Sequence, residues 1–195
     1  MDRIKFLYVE NVISRVKNKT QQKLTFFMLV ENVAYDKELD VVWSGEDGVW
    51  HTLAANYHSM QGNDKEYWQA HIELTASETE SLAGNIQFGI RYRLFANEHW
   101  DNNQGKNYSS EADSGIQLAH HTLVQNIGVS SCFQEQQKNM PILIAVGQSF
   151  NAEKVTIHWT IDNWETTEIT PCNINRQYWD KQFKSNARNP NQYAV

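Results

Sequence analysis

The residues best suited to chemistry in this chain are those of "WDNNQGKNY", positions 100–108. A flat aromatic ring covers apolar C–H surface at little entropic cost, because only two side-chain torsions need fixing. A carboxamide both donates and accepts, so one asparagine can bracket two neighbouring hydroxyls. Together these groups suit a neutral ligand rich in hydroxyls, such as a sugar. Gly105 is available for a left-handed backbone that would let the segment turn sharply. The same residues also fit a plain hairpin, with Trp100 and Tyr108 in the core and the asparagines as turn formers. On the motif alone both readings stand.

Other chemistries find less support. The chain contains no G-x-S-x-G, Walker A, H-E-x-x-H or C-x-x-C pattern. No two carboxylates stand out as a glycosidase pair, so the expectation is a protein that is not an enzyme. His120 and His121 could be imagined as metal ligands with Glu111 and Asp113, but adjacent histidines in a linker point apart. No metal site and no cofactor are expected. The tetrad Arg3-Ile4-Lys5-Phe6 fits a short docking pattern of basic residue, Val/Ile, any residue, Phe/Trp. Peptides of that kind add a strand to the sheet edge of protein phosphatase 1. It reads equally well as a first strand with Phe6 in the core.

The 195 residues carry 17 Lys and Arg against 23 Asp and Glu, a net charge of -6. That balance opposes a nucleic-acid partner, which calls for a basic stripe. No apolar run approaches the roughly 20 residues that span a bilayer, so no membrane partner is expected. The first residues lack the basic-then-apolar plan of a secretory signal. Two cysteines, Cys132 and Cys172, form no framework, and Cys132 reads as a small buried hydrophobe. A cytoplasmic protein with free thiols is the expectation. The sequons at Asn18 and Asn107 are then patterns only.

The elements that must position the motif are short strands. "IKFLYV" (4–9), "LTFFMLV" (24–30), "LDVVW" (39–43) and "IQFGIRYRLF" (86–95) are rich in β-branched and aromatic residues. In the last, Ile86, Phe88, Ile90, Tyr92 and Leu94 alternate with Gln87, Gly89, Arg91 and Arg93, which predicts one buried face. "SGEDG", "QGND" and "NNQG" mark turns. The spacing of Thr75 and Glu78, with Gly84 following, predicts one short helix over 75–84. Trp43 and Trp68 lie within strand runs and are assigned to the core. The whole reads as an all-β antiparallel sandwich.

The chain also echoes itself. "LDVVWSGEDGVW" (39–50) is answered by "VTIHWTIDNW" (155–164), and "TFFMLVENVAYDKE" by "PILIAVGQSFNAEK". Trp43 and Trp159 are 116 positions apart, too far for a solenoid repeat. Asp101 follows Trp43 by 58 positions, and the same step from Trp159 passes Val195, the last residue. The second copy is therefore expected to lack its C-terminal strands, as a fragment or as a fold that another chain completes. Trp164 and Phe150 repeat features of the first copy without its motif.

"WDNNQGKNY", with "ENVAYDK" (31–37), "VVWSGEDGVWHT" (41–52) and "QFGIRY" (87–92), resembles the family 21 carbohydrate-binding modules. These are the starch-binding domains of some fungal glucoamylases and the glycogen-binding domains of protein phosphatase 1 targeting subunits. The resemblance implies an immunoglobulin-like β-sandwich and the following organisation. Residues 1–113 form a family 21 module, 114–126 a linker and 127–195 the partial second module. It implies non-catalytic binding of an α-glucan, glycogen or starch. As alternatives it implies a glycogen-targeting regulatory subunit that recruits the phosphatase catalytic subunit, or an accessory module of a larger amylolytic enzyme.

Two glucan-contacting surfaces follow from the same resemblance. On the first, Trp50 and Trp100 would stack, and Asn102 and Asn107 would bond hydroxyls, helped by Asn32. Gly89 stands where starch-binding members often place a further aromatic, so this platform is thinner by one ring. The second would use Tyr35, Lys37, Tyr57 and Glu66, with Lys65 at a position where an aromatic can stand. Tyr35 and Tyr57 also fit as caps on the sandwich, and Lys37 as a solvated edge charge.

Overall fold

In the computed structural model the described residues are 3–77, 80–129, 142–147, 150–174 and 191–194. Among them there is no α-helix. The chain divides after Ala119 into two compact units.

The first unit is a sandwich of two antiparallel sheets. One runs in the order β10-β1-β2-β6-β5, from β1 (Ile4–Val16), β2 (Lys19–Glu31), β5 (Asn56–Gly62), β6 (Lys65–Thr75) and β10 (Gly115–Leu118). The other runs β4-β3-β7-β8, from β3 (Lys37–Ser44), β4 (Trp50–Ala54), β7 (Ile86–Leu94) and β8 (Asn97–Asp101). In it β9 (Tyr108–Ser110) also pairs with β7. The period-two pattern of β7 is realised as read: Ile86, Phe88, Ile90, Tyr92 and Leu94 are all buried. They meet Val9, Leu24, Phe26, Met28 and Val30 of the facing sheet. Phe88 is the centre of an aromatic group, edge-on to Phe6 at 5.1 Å and to Phe26 at 4.9 Å, and stacked with Tyr108 at 5.5 Å.

Phe6 is 2% exposed. A docking peptide needs that ring free, so the Arg3-Ile4-Lys5-Phe6 reading is overturned: Ile4 begins β1, and Ile4 and Phe6 are core. Tyr108 is core as well, whereas Trp100 is not. Trp43 is buried, and Trp68 packs half-buried against the core.

Two further expectations are corrected. Among the described residues of 75–84 there is no helix, and Glu78 lies outside the described residues. Thr75 ends β6, and Gly84 lies across β1 and β2 at φ +66°. Its amide donates to Gln22 Oε1 at 2.9 Å, and its carbonyl accepts from Gln22 Nε2 at 2.8 Å and from Asn11 Nδ2 at 3.3 Å. Gln22 and Asn11 are fully buried, so releasing Gly84 into a helix would leave Gln22 Oε1 and Asn11 Nδ2 without these partners in the core. The linker expected at 114–126 also contains structure. Residues 115–118 are β10, which pairs with β1 from Tyr8↔Leu118 to Asn11↔Gly115 and buries Ile116. The boundary lies after Ala119, whose amide still bonds Leu7.

The second unit contains the sheet β11-β12-β16-β15, from β11 (Val124–Val129), β12 (Ile142–Val146), β15 (Asn173–Ile174) and β16 (Asn191–Ala194). Beside it is the hairpin of β13 (Thr156–Trp159) and β14 (Glu168–Pro171). Asp162 locks the hairpin turn through Thr160 Oγ1 at 2.6 Å and Thr166 Oγ1 at 2.6 Å. These bonds pull its carboxyl down to about 2. The turn carries Trp164 at φ +73°, exposed to solvent, where its sequence counterpart Trp50 begins a strand instead. Phe150 is also exposed, and Cys172 is a free thiol. Cys132 lies outside the described residues.

Candidate carbohydrate-binding surface

The outward face of the β4-β3-β7-β8 sheet is set by its register. Ser44 stands opposite Trp50 on one side and Gln87 on the other, and Gln87 opposite Ser109. One row further along, Val42 lies between Thr52 and Gly89, and one row beyond that, Asp40 pairs with Arg91 and Arg91 with Trp100. Rows on one face are about 7 Å apart. Trp50 and Trp100 therefore stand two rows apart, with Val42 and Gly89 as the floor between them.

That floor, the two indoles, Asn102 and Asn107 enclose a hollow of about 390 Å³. Trp50 is 51% and Trp100 44% exposed, so each ring is fixed at its base and open on one side. Glu98 Oε1 takes the Trp100 indole N–H at 2.6 Å, and the Arg91 guanidinium lies 5.7 Å from the ring centroid. Gly89 is the seat of Trp100 as well as a missing ring. A Cβ there would stand 3.6 Å from the indole and 3.1 Å from Asn102 Cβ. The contact with the indole would be an ordinary one, and Asn102 is the neighbour that would have to give.

The loop after β8 is built by its own asparagines. Asn103, Gln104, Gly105 and Asn107 all have positive φ, with Gly105 at +85° as the sequence suggests. Asn102 Oδ1 accepts the Gly105 amide at 2.9 Å, and Asn103 Nδ2 donates to the Asn107 carbonyl at 3.1 Å. Asn103 is thus spent on the turn. Asn102 Nδ2 and the Asn107 carboxamide have no partner among the described residues and line the hollow. Asp101 contributes structure rather than a contact. Its Oδ1 accepts the Tyr108 hydroxyl and its Oδ2 the Phe6 amide, each at 2.6 Å, tying the loop to β1.

The second expected group gathers where the loop after β2 meets β5 and β6, and its members divide. Tyr35 is 96% exposed and Tyr57 about half. Tyr57 meets Trp68 edge-on at 6.3 Å. Lys37 and Glu66 do not face solvent. Both are buried, paired at 3.0 Å, and Lys37 also donates to Asn32 Oδ1 and the Ala34 carbonyl at 2.9 Å each. Glu66 Oε2 accepts the Trp68 indole N–H at 2.8 Å, and Lys37 Nζ lies 5.7 Å from the Trp68 ring centroid. Lys37 and Glu66 are therefore corrected from ligand contacts, and Lys37 from a solvated edge charge, to an internal brace. Asn32 is corrected from the first group to this one, because its carboxamide is held by Lys37. Lys65 is only half-exposed.

The residues that sequence reasoning missed are Val42 as floor and Glu98 as the clamp on Trp100. The alternation of β3 and β7 places Val42 beside Gly89 once the register is known, and no sequence pattern supplies that register.

Exposed indoles beside unspent carboxamides, on one face of a rigid antiparallel sandwich, define a carbohydrate-binding module. Residues 6–111, more than half of the chain, match the carbohydrate/starch-binding module (family 21), and the chain belongs to that family. Glucoamylase 1 of Rhizopus oryzae is 30% identical over 40% of this chain and 13% of its own length. Protein phosphatase 1 regulatory subunit 3E of Mus musculus is 32% identical over 41% of this chain and 28% of its own. The match thus spans less than a third of either relative. Among solved structures, the carbohydrate binding module of the muscle glycogen-targeting subunit of Protein Phosphatase-1 is similar at 23% identity. It aligns over 50% of this chain and 68% of that one, with a TM-score of 0.34.

Proposed function

We propose that this protein binds an α-glucan, glycogen or a starch-like polymer, without catalysis, on the outward face of the β4-β3-β7-β8 sheet. The carrying observation is the hollow between Trp50 and Trp100, open to solvent, with the Asn107 carboxamide and Asn102 Nδ2 unspent at its rim. The rings take the apolar faces of glucose units and the amides their hydroxyls. The ligand is uncharged, so the net charge of -6 does not oppose it. A polymer repeats its epitope, and linked weak sites gain avidity of about 10²–10⁴. Tyr35 and Tyr57 are the ring contacts of a second, weaker surface.

The experiment is retention on glycogen or amylose beads. Trp50→Ala and Trp100→Ala each remove an anchoring ring and are expected to weaken binding about 30-fold, the scale of an aromatic hot spot. The double variant is expected to be lost from the beads. A folded double variant retained like the parent would end the proposal.

The likeness to a phosphatase regulatory subunit supports a second reading, in which the module holds glycogen while another part of the protein recruits the phosphatase. A pull-down of the full chain with the phosphatase catalytic subunit tests it. Under either reading the protein is cytoplasmic, in keeping with the free thiol of Cys172. The second unit repeats sequence features of the first module, and its exposed Trp164 offers a further ring.

A further inference from the structure

The hollow between the two indoles ends at Trp50 on one side only in the sense that the ring is a shared wall. Beyond it lies a second hollow of about 420 Å³, nearly the same volume, whose lining includes Ser44, Glu46, Asn85, Gln87, Ser109 and Glu111. Each falls within the size of ordinary ligand sites. We propose that the bound glucan continues over Trp50 into this second hollow, where Gln87 and Ser109 take its hydroxyls, so that the surface selects longer chains. This rests on the proposed function and extends the same site.

The register supplies the path. Trp50, Ser44, Gln87 and Ser109 form one row across four strands, all pointing outward. A chain stacked on Trp50 thus meets Gln87 and Ser109 along the row without leaving the sheet. Both are exposed, and neither side chain has a hydrogen-bond partner among the described residues. Ordering an exposed side chain such as Gln87 costs about 0.5–1.5 kcal/mol, which its hydrogen bonds to the ligand must exceed. The wall of the hollow is also preformed. Glu46 Oε1 accepts from the Asn85 amide at 3.2 Å and from Asn85 Nδ2 at 2.9 Å, and Asn85 Oδ1 accepts the Ala112 amide at 2.8 Å.

The opposite direction is closed by chemistry. Past Trp100 the face is an ion-pair network in which Arg91 and Arg93 each reach Asp40 at 2.8 Å and Arg93 reaches Glu38 at 2.9 Å. The Trp100 indole N–H is already given to Glu98. Hydroxyls arriving there would compete with charge-assisted bonds, whereas at Gln87 and Ser109 they meet open neutral groups. The glucan therefore extends one way.

The test is calorimetric titration of the full chain with maltotriose and maltoheptaose, with amide NMR shifts read at residues 87 and 109. The expected result is tighter binding of the heptaose, with shifts at both residues that maltotriose does not cause. The double variant Gln87→Ala/Ser109→Ala is expected to lose about tenfold for the heptaose, from two hydrogen bonds, and nothing for maltotriose. Equal affinity for both sugars, or a length preference that survives in the double variant, would overturn this extension and leave the proposed function standing. Failure of the parent to bind either sugar would remove both.

Discussion

The two aromatic groups of the first unit draw on the same residue types and use them oppositely. Around Trp50 and Trp100 the charged groups flank the first hollow, Arg91 and Arg93 paired with Asp40, and at its rim the Asn107 carboxamide and Asn102 Nδ2 stay open. Around Tyr57 and Trp68 the polar groups are consumed inside the protein. Lys37 is bound by Glu66, Asn32 and Ala34, and Glu66 by the Trp68 indole. A polar side chain beside a ring thus marks a ligand surface only where its hydrogen-bonding capacity is unspent. The first group fits that description, and the second keeps Tyr35, Tyr57 and the Asn32 Nδ2 to offer.

The largest test of this contrast is stability. Removing one partner of a buried ion pair leaves the other charged and desolvated, a loss of about 3–5 kcal/mol. Lys37→Ala and Glu66→Ala are each expected to lower unfolding free energy in urea by that amount. The apolar pair Lys37→Met/Glu66→Leu should recover much of it. Trp50→Ala, at a half-exposed ring, should cost less than about 1 kcal/mol while abolishing most glucan retention. If Lys37→Ala left stability intact and impaired binding, the contrast would reverse.

A smaller effect sharpens the account of the first hollow. Gly89→Val forces Asn102 or the Trp100 ring away from the floor, which should cost about 1–3 kcal/mol and weaken binding as well. Unchanged affinity in folded Gly89→Val would show that Trp100 does not need its seat. The smallest effect lies beneath both surfaces. The Tyr92 hydroxyl is buried with no partner among the described residues, and burial raises its pKa above the usual tyrosine value. Tyr92→Phe should be neutral or stabilising by about 1 kcal/mol in thermal unfolding, with binding unchanged.

Much of the sandwich was legible because burial follows alternation. The face of β7 could be read from Ile86 to Leu94 without any partner strand. Phe6 was readable in two ways, and only its contacts with Phe88 and Tyr108 decide between a docking peptide and a core strand. The end expected at Gly84 for a helix over 75–84 is overridden because capping signals act over a few residues, while Gln22 holds Gly84 from 62 positions away. β10 escaped notice because its four residues pair with β1 about a hundred positions earlier. At the site, the indoles of Trp50 and Trp100 and the carboxamides of Asn102 and Asn107, grouped by residue type, line one hollow. Which carboxamides were open could not be read, since Asn103 and Asn107 differ only in what the folded turn asks of them.

The carboxylate of Asp101 gives the loop a foundation outside itself, through a hydrogen bond to a backbone 95 positions upstream. A synthetic peptide copying residues 100–108 would carry every ring and amide of the motif yet lack that footing, and would dangle. Grafting the nonapeptide onto another scaffold meets the same obstacle unless a neighbouring strand presents an unpaired N–H where Phe6 does. The portable unit is the loop together with the strand it leans on.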